Sequence, residues 1–187
     1  MKYDMRVILT KRLLREGLLR CLKKTHVEKI TISDLCRESG INRTTFYKHY
    51  QAPIQILEEM AWDYAEQLRQ IYMESMRITK GNSEQAMESC FAYLLGEKEQ
   101  IVTLFSENAA SSLDRMAGEI VSEMMSDNKT GWHDIMPDTD ERRLYIHATG
   151  AAVYGLIRCW LTEDIDKTPS EIVQILKKAA YLGFIKD

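Results

Sequence analysis

Residues 30–50 read ITISDLCRESGINRTTFYKHY and constrain this chain more than any other stretch. They hold two short helix signals on either side of one glycine. Thr31 stands where an N-cap belongs, with Asp34 three residues on as its reciprocal partner. Leu35 and Cys36 give the first helix an apolar side. Gly40 ends it, because glycine takes the left-handed conformation that a helix stop needs. Asn42 caps a second helix that starts at Arg43. At about 100° per residue, Phe46 and Tyr50 share one face of that helix, with Ile41 just ahead. Thr44, Thr45, Tyr47 and Lys48 fall on the other side.

Two short helices about a sharp glycine turn form the helix-turn-helix pattern, whose second helix enters the DNA major groove. The outward set is two small hydroxyls, a phenol and a cation. Such groups reach phosphates, thymine methyls and base edges. A helix of about eight residues is not stable alone, so a small core must hold it. A preceding helix over residues 9–24 supplies that core. Its Leu14, Leu18, Cys21 and Leu22 recur at helical spacing and are expected to pack on Ile30, Ile32, Leu35 and Phe46.

Charge is divided along the chain. Residues 1–53 carry twelve Lys/Arg and five Asp/Glu, a net +7, against −3 for the whole, which leaves −10 on the rest. A basic head on an acidic body fits a unit that meets nucleic acid joined to one that does not. Three prolines and nine glycines in 187 residues are too few for a turn-rich β protein, and helix formers dominate. The expected fold is all-α. No apolar run approaches the eighteen or so residues that span a bilayer. The N-terminal apolar groups are broken by Lys11, Arg12 and Arg15, unlike a signal peptide. A cytoplasmic protein with no membrane contact is expected.

Enzyme chemistry finds little support. There is no Gly-rich phosphate loop and no nucleophile–base pattern. Cys21, Cys36, Cys90 and Cys159 form no CxxC pair and no Cys/His cluster at metal-ligand spacing. They read as buried or half-buried reduced thiols, with a redox sensor as the alternative. His147 has Leu144 three residues before it, not the glutamate of a di-iron bundle. No catalytic residue, metal or cofactor is expected.

The run from Gly40 to Tyr50, G-I-N-x-x-T-F-Y-x-H-Y, preceded by one amphipathic helix and followed by a long one, resembles the TetR family of bacterial transcriptional regulators. The motif covers the first quarter of the chain. The resemblance implies that the third helix reads the major groove. Ser33 and the start of the second helix would meet phosphate. Arg43, Thr44, Thr45 and Tyr47 would contact bases or nearby backbone, and His49 backbone; Lys48 joins them from the face arithmetic. The family commonly places a polar residue and then a lysine at the start of the fourth helix, the lysine holding a phosphate. Here those positions are Ala52 and Pro53. Proline suits a helix start but cannot hold the phosphate, which leaves Gln51 or the arginines of the first helix as substitutes, or else a lower affinity.

About nine helices are expected, with a helix-turn-helix DNA-binding domain over 1–52 and an effector-binding and dimerisation domain over 53–187. The body helices are placed at 53–78, 84–95, 98–108, 111–126, 140–161 and 169–185. Loops are placed at 79–83 and 127–138, the second carrying Trp132. Thr168-Pro169 starts the last helix, cap then proline; Ser170-x-x-Val173 is not a capping box. The next-to-last helix holds Ala148, Gly150, Ala151, Ala152 and Gly155 within eight positions. Those glycines cost helix propensity unless another helix comes close. The family resemblance offers that partner: a second copy, paired through the last two helices by Ala148, Ala151, Ala152 and Gly155. A tight crossing inside one subunit is the alternative. The segment 150–175, with its G-L-I-x-x-W-L run, also looks like the C-terminal body of one TetR subgroup.

A dimer suits the DNA as well. Two heads would read a pseudo-palindromic double-stranded operator with half-sites roughly 34–36 Å apart. Met60, Tyr64, Met87, Phe91, Phe105, Met116, Tyr145, His147 and Tyr154 fall on body helices. They are candidates for an adaptable pocket for a small apolar effector, or are plain core. The resulting expectation is a dimeric repressor released from its operator by an effector. An effector-independent regulator, or an architectural protein on the same fold, is the alternative.

Overall fold

The computed structural model of the chain describes residues 5–109, 113 and 140–181. Among them are eight α-helices, one short 3-10 turn and no strand. The helices are α1 (Met5–Leu22), α2 (Ile32–Ser39), α3 (Arg43–Tyr47), α4 (Ile54–Ile78), α5 (Ser83–Gly96), α6 (Lys98–Leu104), α7 (Asp140–Thr162) and α8 (Pro169–Tyr181); the 3-10 turn is Val27–Lys29. Of the expected helix over 111–126 only residue 113 is described, in helical conformation; the loop over 127–138 with Trp132 and residues 182–185 of the last helix lie outside the described residues. No helix among the described residues is long and apolar enough to cross a membrane.

The chain divides into two compact units. One joins Met1–Asp63 to Val102–Asp114; the other joins Tyr64–Ile101 to Arg115–Asp187.

The first unit is built on α1. Leu14, Leu18 and Leu22 are fully buried, and Gly17 is buried between them. A Cβ on Gly17 would lie 2.8 Å from Ser39 Cβ and 3.0 Å from Ser39 Cα. Glycine here is a requirement of close approach, because α2 lays its backbone where a side chain would go. The buried face of α2 is therefore Leu35 and Ser39, not Leu35 and Cys36; Cys36 is half-buried. Helix α1 begins at Met5, one turn before residue 9. The added turn leaves Met5 and Ile8 exposed and so adds little to the core. At the other end, Asn108 Nδ2 donates to Leu22 O at 2.7 Å and satisfies a carbonyl that the helix end leaves open.

Helix α6 stops at Leu104, short of the expected 108. Ser106 Oγ donates to Thr103 O at 2.7 Å, which gives the backbone an alternative to continuing the ladder. A further helical turn follows at 107–109. Leu104, Ala109 and Leu113 are buried in this unit.

In the second unit, Trp160 of α7 is buried edge-on to Phe91 of α5, with ring centroids 6.1 Å apart. Its indole N–H donates to Lys167 O at 3.0 Å, pinning the α7–α8 connection. Ile172 and Val173 are the buried face of α8, which packs on α5. Gln174 and Lys177 of α8 reach Glu84 of α5. The α8 start is a full capping box. Glu171 N donates to Thr168 Oγ1 at 3.3 Å and Thr168 N to Glu171 Oε2 at 2.9 Å. Cys90 is buried, its thiol pushed up to about 12 by burial and donating to Leu68 O at 3.5 Å. All four cysteines are free thiols.

Candidate nucleic-acid interface

Local caps build the helix-turn-helix. Asp34 N donates to Thr31 Oγ1 at 3.1 Å and Thr31 N to Asp34 Oδ2 at 3.3 Å, closing the box at the start of α2. Gly40 has φ 71°, the left-handed region that ends the helix. Asn42 Oδ1 accepts Thr45 N at 2.8 Å and caps α3.

Helix α3 has five residues rather than about eight. Past Tyr47 the chain tightens, with Lys48 N on Thr45 O at 3.2 Å and His49 N on Phe46 O at 2.9 Å. This tightening accompanies the burial of Tyr50, so Lys48 and His49 stand in a turn beyond the helix proper.

The two faces divide as the spacing requires. Phe46 is 0% exposed and Tyr47, its neighbour, 59%. The Tyr47 ring stands edge-on to Phe46, with centroids 5.6 Å apart, so a buried ring backs an exposed one. Arg43, Thr44 and Lys48 are exposed, as is Ser33; Thr45 and His49 are half-buried. The Arg43 guanidinium donates to Ser33 Oγ, so two candidate contacts from different helices meet. Lys48 has no ion-pair partner among the described residues, nor does Lys29, an exposed cation beside α2 that sequence spacing did not single out. An unpaired cation costs less to bring to a phosphate than one already held by a carboxylate.

The first-helix cations are differently placed. Lys11 Nζ meets Glu59 Oε2 at 2.9 Å and Arg15 Nη2 meets Glu59 Oε1 at 2.5 Å; Arg15 also pairs with Asp63. Arg20 reaches Glu38, and Arg12 lies 3.7 Å from Glu16. The Tyr50 phenol also donates to Glu59 Oε1, at 3.0 Å. Burial would raise the Glu59 carboxyl; bonds from Lys11, Arg15 and Tyr50 outweigh that and hold it below its ordinary range. Burial and the Glu59 charge push the Tyr50 phenol far up. Nothing in the sequence pattern marks Glu59, because its partners on α1 are 44 and 48 residues away.

At the head of α4, Pro53 is buried just before the first helical residue, Ile54. Gln55 Oε1 accepts Gln51 N at 2.7 Å. The expected start at 53 is thus displaced by one residue, with Pro53 in the entering turn.

The remaining candidates fall on both units. Met60 is buried and Phe105 half-buried in the first. In the second, Phe91 is buried, Tyr64, Met87 and Tyr154 are half-buried, and Tyr145 and His147 are exposed. Met116 lies outside the described residues. On α7, Ala148, Ala151, Ala152 and Gly155 are all exposed, at spacings of three and four, and nothing among the described residues lies within 4 Å of a Cβ built on Gly155. Gly150 is buried. Among the described residues no group of three or more His, Cys, Asp or Glu is placed to hold a metal.

Comparison with known proteins bears on both halves. Residues 81–181, more than half the chain, match a TetR family model described as the transcriptional regulator C-terminal region. YxbF, an uncharacterised HTH-type transcriptional regulator of Bacillus subtilis (strain 168), is 26% identical over 186 residues, or 95% of this chain. The chain spans about half the length of that curated relative, 47%. Among solved structures, the dihydroxyacetone kinase operon activator DhaS superposes with a TM-score of 0.57 at 13% identity, covering 96% of this chain and 99% of that one. AlkX, a TetR family repressor of Dietzia sp. implicated in biodegradation of n-alkanes, gives 0.53 at 14%, covering 94% and 98%. A TetR-family regulator structure from Syntrophomonas wolfei gives 0.59 at 18%, covering 92% and 96%. At these identities the structural likeness speaks to the fold alone.

Proposed function

Because this chain belongs to the TetR family of transcriptional regulators, we propose that it works as a homodimeric repressor on a pseudo-palindromic DNA operator and is released by a small apolar effector. Residues 1–52 read DNA and residues 53–187 pair and sense. Ser33, Arg43, Thr44, Thr45, Tyr47, Lys48 and His49 make the contacts. The observation that carries this reading is the split of the reading helix, Phe46 and Tyr50 buried behind an exposed Tyr47 and Lys48. Ser33 and Lys48 hold phosphates and set register; Arg43, Thr44, Thr45 and Tyr47 reach base edges.

Two copies are needed because one five-residue helix spans few base pairs. Exposure of Ala148, Ala151, Ala152 and Gly155 supports pairing through α7, since small residues let helix backbones approach closely. Effector binding in the body favours one head spacing and shifts the DNA-competent population.

Selection of bound duplexes from random DNA tests the core of this. The expected product is a two-fold symmetric site with half-site centres one helical turn apart. Enrichment of nothing, or of a single asymmetric site bound by a monomer, would sink it. A compound screen on the selected site then tests release.

A further inference from the structure

Helix α3 is too short to fix its own orientation. Its rotation about its axis is set by what Phe46 and Tyr50 touch. Phe46 sits in apolar contact, which is not directional. Of these two, Tyr50 makes the directional contact, through its phenol on Glu59 Oε1; at the other end of the helix the Arg43 guanidinium bonds Ser33 of α2. Glu59 is itself held from α1, by Lys11 and by Arg15, and the Lys11 ammonium also lies 5.6 Å from the Tyr50 ring centroid. Asp63, one turn along α4, takes Arg15 as well. Two cations thus face two carboxylates, and the phenol is the one neutral donor in the group. The group joins α1, α4 and the residue that ends the reading segment.

We infer that Glu59 is a positioning residue for DNA reading: through Tyr50 it sets the angle at which α3 presents Tyr47 and its neighbours. This rests on the proposed DNA-reading role of α3. Two properties separate it from a role in stability alone. The hydroxyl of Tyr50 matters beyond its ring, and Glu59 and Tyr50 act as one unit. The pairing also withdraws Lys11 and Arg15 from phosphate contact, so freeing them adds non-specific affinity while specific affinity falls.

The test uses the full chain with Tyr50→Phe, Glu59→Gln and the double variant. Affinity is measured on the duplex selected by the native protein and on a scrambled duplex, at a temperature where all variants are folded. Amide exchange of residues 46–50 is followed in parallel without DNA. Tyr50→Phe keeps the ring and the fold, so it answers even if Glu59→Gln is unstable. The expected result is a loss of selectivity of about fivefold in Tyr50→Phe, the scale of one hydrogen bond, with faster exchange over 46–50. The double variant loses no more than the worse single one. Native selectivity in Tyr50→Phe overturns the inference, whatever its thermal midpoint. If the native protein selects no DNA, the DNA-reading proposal fails instead. Exchange then decides the positioning: faster in Tyr50→Phe upholds it, unchanged refutes it.

Discussion

Gly17 and Gly155 both sit inside α-helices, where glycine costs about 1 kcal/mol against alanine. Their surroundings are opposite. At Gly17 the space for a side chain is taken by Ser39 of α2; at Gly155 nothing among the described residues lies within 4 Å. The first glycine is explained within the chain, as the closest approach of two helices in one unit. The second has no such neighbour among the described residues, yet it lies on a face with Ala148, Ala151 and Ala152, and Leu144 at 72% exposure continues that face by one turn. One small residue closes a fold; the others, on the proposed pairing, suit a surface that a second helix covers.

The sharpest way to break this contrast is to fill both sites. Gly17→Leu is expected to lower unfolding free energy by about 3 kcal/mol, since overpacking against backbone cannot relax cheaply; urea denaturation measures it. Gly155→Trp should leave helicity by circular dichroism intact and weaken self-association by about 2 kcal/mol, the scale of an interface hot spot. A Gly155→Trp protein that stays dimeric in sedimentation would remove α7 from the interface. Within the reading surface, Tyr47→Ala should weaken operator binding by at least about 1 kcal/mol, one lost contact, with an unchanged urea midpoint. Unaltered binding would mean that α3 docks with another face.

The smallest effect tests a cap in the second unit. Glu171 is held at about 2, from an ordinary 4.5, by Lys167 first and then by Thr168 N–H and hydroxyl. Its folded value is depressed, so its stabilisation is present above about pH 4.5 and fades as pH falls toward 2. Glu171→Gln should therefore be slightly less stable than the native chain at pH 7, with the gap closing below pH 4. A gap independent of pH would assign the effect to the hydrogen bonds rather than to the charge.

Local signals were legible and distant ones were not. The Thr31–Asp34 box, the Gly40 stop and the Asn42 cap are contacts within three or four residues, and spacing reveals them. So does the buried pair of Phe46 and Tyr50. The long α4 was found to within one residue at its start. Gly17 was missed because its partner is 22 positions away in sequence and offers no chemical cue. Glu59 was missed for the same reason, with partners on α1 and at the end of the reading segment. The box at the start of α8 was legible in the spacing too: Thr168-x-x-Glu171 satisfies it two residues before Ser170. The length of α3 was overestimated because helical spacing places Tyr50 inward equally well from a short helix and a tight turn.

The first compact unit is not continuous in sequence: it takes Val102–Asp114 together with Met1–Asp63. A ribosome delivers the helix-turn-helix first and its remaining packing partners about fifty residues later. At roughly 5–20 residues per second, that leaves an interval of about 3–10 s. Over that time Leu104, Ala109 and Leu113 are missing from the young head, and the Leu22 carbonyl has no Asn108 to take it. The reading segment is therefore made about fifty residues before the unit that holds it is complete.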